Sequence, residues 1–249
     1  MTTISVVTAV YNSRDTVGQA LDSVFSQSHP NIESVVIDGA STDGTQAVIE
    51  RYRNRIGTFI SERDQGIYDA LNKGIHHASG DVVGFLHADD LFAHENVLAR
   101  IADAFSDPKV DAVYGDLVYV RHEDVNQIVR YWRAGSFDMD ALRRGWMPPH
   151  PTFYVRRSIY ERLGAFDTRY RIAADYDSVL RFLAHGGIHA AYIPEVLIRM
   201  RVGGISNRSL RSILRKSRED LEVTRRNKIG GIGTVLQKNF SKVSQFWRR

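Results

Sequence analysis

Val82-Val83-Gly84-Phe85-Leu86-His87-Ala88-Asp89-Asp90-Leu91 drives a short apolar run straight into two adjacent carboxylates. A run of β-branched and aromatic side chains of this length reads as a strand buried on both faces, as in a parallel sheet. Ligands of open α/β sheets gather just beyond the carboxyl ends of the strands, where Asp89 and Asp90 fall. Two neighbouring negative charges repel each other unless a cation shares them. A hard divalent ion such as Mg2+, held by one or two carboxylates and by substrate phosphates, meets that need. The competing reading makes the pair a turn, or the cap of a helix that begins near Glu95.

Working outward, Ile4 to Val10 reads as a first strand, Ser34 to Asp38 as a second and Thr58 to Ser61 as a third. Helical patterns separate them: Val17, Ala20, Leu21, Val24 and Phe25 keep a 3.6-residue period, and so do Ile67, Leu71, Ile75 and Ala78. Strands alternating with helices imply repeated βαβ units and a parallel sheet. Each strand end carries polar or acidic residues: Thr8 with Asn12, Asp38 with Asp43, Asp64, and Asp89 with Asp90. Several carboxylates thus line one edge of the sheet. Neither GxGxxG nor GxxxxGK[ST] occurs, so a phosphate ligand at this edge needs a metal for neutralisation.

The second half is less regular. Ala112 to Asp116, Val118 to Arg121 and Gln127 to Trp132 read as short strands suited to antiparallel pairing. The helix opened by Ala174-Asp175-Tyr176-Asp177 closes at Gly186-Gly187. No linker or internal repeat divides the halves, and 249 residues with 43% hydrophobic content suffice for a full core. No run approaches a membrane span. The N-terminus lacks the basic segment of a secretory signal, and the absence of cysteine suits a reducing compartment. The expected location is the cytoplasm. Charge is uneven: from Ile205 onward twelve Lys and Arg face three acids, a net +9, which leaves −5 on the first 204 residues.

These motifs, in this order, resemble the inverting family 2 glycosyltransferases of the GT-A fold. The resemblance rests on Thr8-Ala9-Val10-Tyr11-Asn12, Asp38-Gly39-Ala40-Ser41-Thr42-Asp43-Gly44-Thr45 and Asp64-Gln65-Gly66-Ile67-Tyr68-Asp69-Ala70-Leu71-Asn72-Lys73-Gly74. It continues through Ala88-Asp89-Asp90, Gly164-Ala165-Phe166-Asp167, Ala174-Asp175-Tyr176-Asp177 and Gly203-Gly204-Ile205-Ser206. The Asp-Gln-Gly-Ile-Tyr-Asp-Ala variant looks most like bacterial enzymes that build exopolysaccharides, O-antigens or glycolipids.

The resemblance implies an α/β fold, a Rossmann-like, mostly parallel sheet flanked by helices, with a smaller mixed part on the acceptor side. Residues 1–206 would form one domain, with about 1–115 binding the nucleotide-sugar and about 116–206 facing the acceptor. Residues 207–249 would follow as a basic amphipathic segment. It further implies a nucleotide-diphosphate-sugar donor, Mg2+ or Mn2+, and a glycan or polyprenyl-linked or other lipid-linked acceptor. By that likeness Asp38 meets the nucleobase, Thr8, Ala9 and Tyr11 line the nucleoside pocket, and Asp64 and Gly66 approach the nucleoside and phosphates. Asp89 and Asp90 hold ribose and metal, and Asp175 is the general base. Two departures stand out: His87 where many relatives carry Asp or Asn, and Ala174 where Glu usually precedes the base.

Sugar transfer breaks the bond from an anomeric carbon to a diphosphate, and an in-line attack inverts the centre. The attacking hydroxyl needs a carboxylate to take its proton, an effect of order 10²–10⁴-fold. Asp175 competes here with a helix-capping role, and Asp177 is the other candidate base. His150, between Pro149 and Pro151, is either a metal ligand or a buried structural histidine. Asp116 is a candidate acceptor contact. Arg199 and Arg201 either meet the diphosphate or lie solvated at a strand end. In the tail, Leu210, Ile213, Leu214, Leu221 and Val223 alternate with cations, and Phe246 and Trp247 precede the last two arginines. That pattern suits an anionic membrane surface, or a packing helix with a frayed basic end. No nucleic-acid module is recognisable, so nucleic acid is not an expected partner. Two other functions stay open: a sugar-phosphate nucleotidyltransferase, although Tyr11 to Asp15 stands where its Gly-rich loop belongs, and a non-catalytic sugar- or lipid-binding module.

Overall fold

The computed structural model describes residues 1–203 and 210–241. Gly204-Ile205-Ser206, the proposed boundary at residue 206, Phe246 and Trp247 lie outside the described residues. The first half alternates as its periodicity requires: β1 (Ile4–Val10), α1 (Val17–Phe25), β2 (Ile32–Asp38), α2 (Thr45–Glu50), β3 (Thr58–Ser61), α3 (Ile67–His77) and β4 (Val82–Phe85). β3, β2, β1 and β4 lie side by side and parallel. Every residue of β1 and of β4 is buried, because helices cover both faces of this half.

After β4 the chain does not go directly into a helix. It turns through His87 to Asp90 and forms the two-residue strand β5 (Leu91–Phe92) before α4 (Val97–Ala104). The helix-cap reading of Asp89 and Asp90 therefore fails. β5 pairs antiparallel with a strand from the far end of the domain, β9 (Ala190–Arg201), through Leu91 with Arg199 and Phe92 with Ile198. Between lie β6 (Ala112–Val120), β7 (Ile128–Trp132), α5 (Met139–Arg143), a 3-10 turn over His150–Thr152, β8 (Tyr154–Arg156), α6 (Arg157–Leu163) and α7 (Ala174–Leu180), which continues as a π-helical turn, Arg181–His185. Among the described residues the nine strands form one sheet, ordered β3-β2-β1-β4-β8-β6-β9-β5, with β7 added to β6.

The sequence suggests two short strands around Gly115-Asp116; the structure has one, β6. What reads as a break is an irregularity in the parallel pairing with β9, whose register shifts on both sides of Asp116. Asp116 itself is buried and accepts from Tyr131 Oη (2.7 Å), Tyr192 Oη (2.7 Å) and the Ala134 amide (2.9 Å). Its oxygens serve the fold, which removes it as an acceptor contact.

The seam between the parallel and mixed parts is packed without slack. A Cβ added at Gly84 of β4 would lie 1.9 Å from Cε1 of Tyr154 on the neighbouring β8, a ring with no exposure. Gly84→Ala is therefore expected to cost about 3 kcal/mol, the upper end of overpacking in a rigid core. Urea unfolding should show a lower midpoint at unchanged slope; a wild-type midpoint would contradict the packing described.

The basic tail folds back as α8 (Leu210–Arg226) and α9 (Ile232–Ser241). Val223 of α8 is fully buried in the core cluster that includes Tyr176 and Val179 of α7. Lys238 of α9 is buried as well, 2.8 Å from Asp220 Oδ1 and 3.2 Å from the centre of the Tyr176 ring.

Candidate active site

The open edge of the parallel half is assembled from the ends of β1, β2 and β3. Thr8 and Ala9 alternate across β1 and are both buried, so of the first-strand segment it is Tyr11 whose side chain reaches the surface. The loops after β1 and β2 interlock: the Asn12 amide donates to Ser41 Oγ (2.8 Å) and the Thr42 amide to Asn12 Oδ1 (3.0 Å). These bonds hold Asn12 (φ 47°) and Ala40 (φ 59°) in the left-handed region, which non-glycine residues enter at a cost.

Asp38 sits at the end of β2 but is fully buried. Its carboxylate accepts from the Ser41 amide and hydroxyl, from Gln46 Nε2 (3.0 Å) and from Ser61 Oγ (2.6 Å). Those four donors match a carboxylate's capacity, so contact with a base through Asp38 requires one of them to be displaced. Tyr11, Gly39 and Asp64 do converge. A Cβ at Gly39 would meet Asp64 Oδ2 at 3.0 Å and Tyr11 Cδ2 at 3.2 Å, so glycine here leaves the cleft between them open. Lys73 of α3 pins Asp64 at 2.6 Å and Glu62 at 2.8 Å, and these carboxylates hold its ammonium well above the usual lysine range although burial opposes them. Gly66 precedes α3 with φ +133°.

The acidic pair is not symmetric. Asp89 is half-buried, and its carboxylate makes no hydrogen bond recorded among the described residues. Asp90 is fully buried; Oδ1 accepts the Arg201 amide (3.3 Å) and Oδ2 has no partner. Burial first, and then the charge of Asp89, push the Asp90 carboxyl well above its ordinary value. Arg201 is buried too. It donates to the Asp89 carbonyl (2.6 Å), the His122 carbonyl (3.2 Å) and the Gln19 side chain. Its guanidinium thus braces the turn that carries the pair, which neither sequence reading of Arg201 anticipated. Arg199 contacts Asn126 (3.1 Å).

Across the seam stands Asp175, in the first turn of α7. The residue before the helix is Ala173, which has no capping side chain, so Asp175 is not the cap. Its Oδ1 accepts from the Tyr176 amide (2.8 Å) and lies 3.1 Å from Tyr68 Oη, which also lies 2.7 Å from the Ile172 carbonyl. One phenolic hydrogen serves two acceptors there. Burial, followed by the Asp175 charge, holds that phenol well above its ordinary value. Asp177, the rival base, is buried and tied to Arg181 Nε (2.8 Å) and Asn227 Nδ2 (3.0 Å).

His87 lies within the fields of both acids. Burial lowers its pKa, while Asp89 and Asp175 oppose that shift. His150 is stacked on Phe85 at 5.3 Å between ring centres, 6.1 Å from His87, with Nε2 buried and unpartnered. Burial pulls it down to about 4, so the imidazole is neutral at neutral pH. Among the described residues no three His, Asp or Glu side chains converge as a cage for an ion, so His150 does not join Asp89 and Asp90 as a three-ligand set. The pair fits instead a hard cation bound through one or two carboxylates and completed by phosphate oxygens. An orphaned buried oxygen on Asp90, beside a second carboxylate, is the structural mark of that fit. Tyr68 and Gln19 are the neighbours that sequence reasoning missed, and Arg201, expected at the diphosphate or in solvent, braces the turn instead. Tyr68 falls inside a quoted motif, but nothing in the chain alone sets it facing Asp175.

The chain has counterparts among known proteins. The model of glycosyl transferase family 2 matches residues 5–168. A PGL/p-HBAD biosynthesis glycosyltransferase of Mycobacterium tuberculosis is 29% identical over 208 residues, which cover 82% of this chain and 78% of that one. A mannosyltransferase from Pyrobaculum calidifontis, solved in complex with GDP-Man and Mn2+, superposes with a TM-score of 0.68 at 23% identity, over 99% of this chain and 71% of that one. A crystal structure of S. aureus TarS matches with a TM-score of 0.66 at 19% identity; 90% of this chain is covered, but only 39% of that larger one. With a family model matching residues 5–168, from β1 through α6, and with the GT-A architecture in its neighbours, this chain belongs to glycosyl transferase family 2 and is a glycosyltransferase of the bacterial glycan-building type.

Proposed function

We propose that the chain is a metal-dependent, inverting enzyme that moves a sugar from a nucleotide-diphosphate-sugar to a hydroxyl of a glycan or lipid-linked acceptor, in the synthesis of cell-surface polysaccharide or glycolipid. One observation carries the reading: His87, two residues before Asp89, lies 6.1 Å from the ring of His150, which meets Phe166 at 5.5 Å, and Phe166 meets, also at 5.5 Å, the ring of Tyr68, whose hydroxyl lies 3.1 Å from Asp175 Oδ1. One line of packed rings thereby joins the turn of the acidic pair to Asp175. Solved relatives hold GDP-Man with Mn2+ in one case and UDP-GlcNAc in another, which supports a nucleotide-sugar as donor.

In this scheme residues 1–115 bind the donor, with the base and ribose along Tyr11, Gly39 and Asp64. Asp89 and Asp90 would hold Mg2+ or Mn2+, and the charge of that ion would stabilise the departing diphosphate. Asp175 Oδ1 is occupied by Tyr176 and Tyr68, so Oδ2 is the oxygen that takes the proton of the acceptor hydroxyl. As that O–H bond breaks, the hydroxyl oxygen bonds the anomeric carbon and the bond to the diphosphate breaks behind it, inverting the centre. Neutral His87 and His150 add no positive charge that would compete with the cation. About 116–206 forms the acceptor side, and 207–249 is a basic segment whose described helices pack on it. The test is a panel of UDP- and GDP-sugars assayed for release of UDP or GDP with Mg2+ or Mn2+. Stabilisation by nucleotide without release from any donor or acceptor would favour a binding module.

The tail also supports peripheral attachment at the inner face of the plasma membrane. Ile213 and Leu214 of α8, and Ile232, Leu236 and Phe240 of α9, are exposed in a segment rich in Lys and Arg. No helix among the described residues is long and apolar enough to cross a membrane. Deleting the tail would expose the core around Val223, so substitutions at exposed positions make the cleaner test. Leu214→Glu with Phe240→Glu should abolish sedimentation with vesicles containing anionic lipid and leave melting temperature unchanged; undiminished sedimentation would refute the attachment.

A further inference from the structure

The loop and helix that carry Asp175 are held from outside. Ile172 and Ala173 immediately precede α7, and both of their amides donate to one oxygen of Glu219, on α8, at 2.8 and 3.0 Å. The carbonyl of the same Ile172 meets Tyr68 Oη at 2.7 Å, and Tyr68 Oη in turn meets Asp175 Oδ1 at 3.1 Å. Glu219, the Ile172 peptide, Tyr68 and Asp175 form one connected chain of polar contacts. No local group substitutes for Glu219, because Ala173 offers no side-chain acceptor.

α8 is itself fixed. Asn227 Nδ2 donates to Asp177 Oδ1 (3.0 Å), Val223 is buried against the α7 core, and the buried Lys238–Asp220 pair closes against the ring of Tyr176. Two of these attachments, to Asp177 and Tyr176, therefore bear on α7 within two residues of Asp175. A carboxylate accepting two backbone amides makes charge-assisted bonds, which are shorter and stronger than neutral ones.

We propose that Glu219 is a positioning residue for the transfer reaction: from the C-terminal helix it fixes the loop before α7, and through Tyr68 it fixes the orientation of the Asp175 carboxylate. This rests on the reading of Asp175 as the base. The C-terminal segment then has a role in chemistry that is separate from any attachment to a surface. Displacing a reacting group by about 1 Å costs on the order of 100-fold in rate.

The test uses the full chain and the donor found in the nucleotide-sugar panel. Glu219→Ala should lower kcat on the order of 10–100-fold, with the KM for donor and the affinity for UDP or GDP with Mn2+ unchanged. Glu219→Gln retains an oxygen acceptor at the same reach and should recover most of kcat. Glu219→Asp keeps the charge but withdraws the oxygen, and should resemble the alanine variant; it carries the test if Glu219→Ala fails to fold. Wild-type kcat in Glu219→Asp, or equal loss of kcat and nucleotide affinity in Glu219→Ala, would overturn the proposal, as would a glutamine variant no better than alanine. Asp175→Asn is assayed alongside. Full turnover there removes the base reading and this proposal with it, whereas collapse there with an unaffected Glu219→Ala removes the positioning role alone.

Discussion

Asp175→Asn is expected to lower kcat on the order of 10²–10⁴-fold, the range attributable to a positioned general base, while UDP or GDP binds with wild-type affinity. The substitution keeps size and keeps an oxygen for the Tyr176 amide and the Tyr68 hydroxyl, so the first turn of α7 should survive. What it removes is the oxygen proposed to take the proton of the acceptor hydroxyl. Asp175 lies across the seam from the donor edge, which is why nucleotide binding serves as the internal control. Turnover kinetics and titration calorimetry on one preparation decide the matter. A variant with wild-type kcat would remove Asp175 as the base. Asp177 could not easily replace it, since both of its oxygens are engaged with Arg181 and Asn227.

The second large effect is expected at the acidic pair. Asp89→Asn should weaken the metal-dependent part of UDP or GDP binding on the order of 100-fold, the equivalent of about 3 kcal/mol for a charge-assisted contact. Asp89 makes no recorded side-chain hydrogen bond within the fold, so stability should change little. Asp90 differs. It is fully buried against Arg201, and Asp90→Ala would leave the Arg201 amide without its acceptor, at a further cost of about 1–3 kcal/mol to the fold. Calorimetry with and without Mn2+, beside thermal unfolding, separates the two residues. Tight nucleotide binding by both variants without metal would count against the whole scheme.

Much of the parallel half is legible in the chain. Val82 to Phe85 is apolar on both faces because helices cover both, and the same holds for β1; that pattern is a local property of the residues. The acidic residues at strand ends are legible for a related reason. Buried strands leave only their ends to water, so charges cluster where the strands stop. The mixed half is less so. β5 is two residues long, too short to show a period, and exists only because β9 arrives beside it. The polar Asp116 inside β6 looks like a break until Tyr131, Tyr192 and Ala134 supply its donors.

The tail shows the same contrast in charge. Lys238 belongs to a segment of net +9 and reads as one more solvated cation. It is buried because Asp220 and the face of Tyr176 meet it, partners the sequence keeps far apart. By itself, then, the sequence determined the βαβ alternation, the family and the set of carboxylates from which a site would be built, since periodicity and residue type act over a few neighbours. The tertiary structure alone decided which carboxylates stay uncommitted: Asp38 and Asp116 are consumed by internal donors, Asp90 keeps one buried oxygen without a partner, and Asp175 engages Tyr68 and Tyr176 through a single oxygen. A carboxylate's availability depends on which donors reach it and how much water is excluded, and both are fixed by contacts between residues distant along the chain.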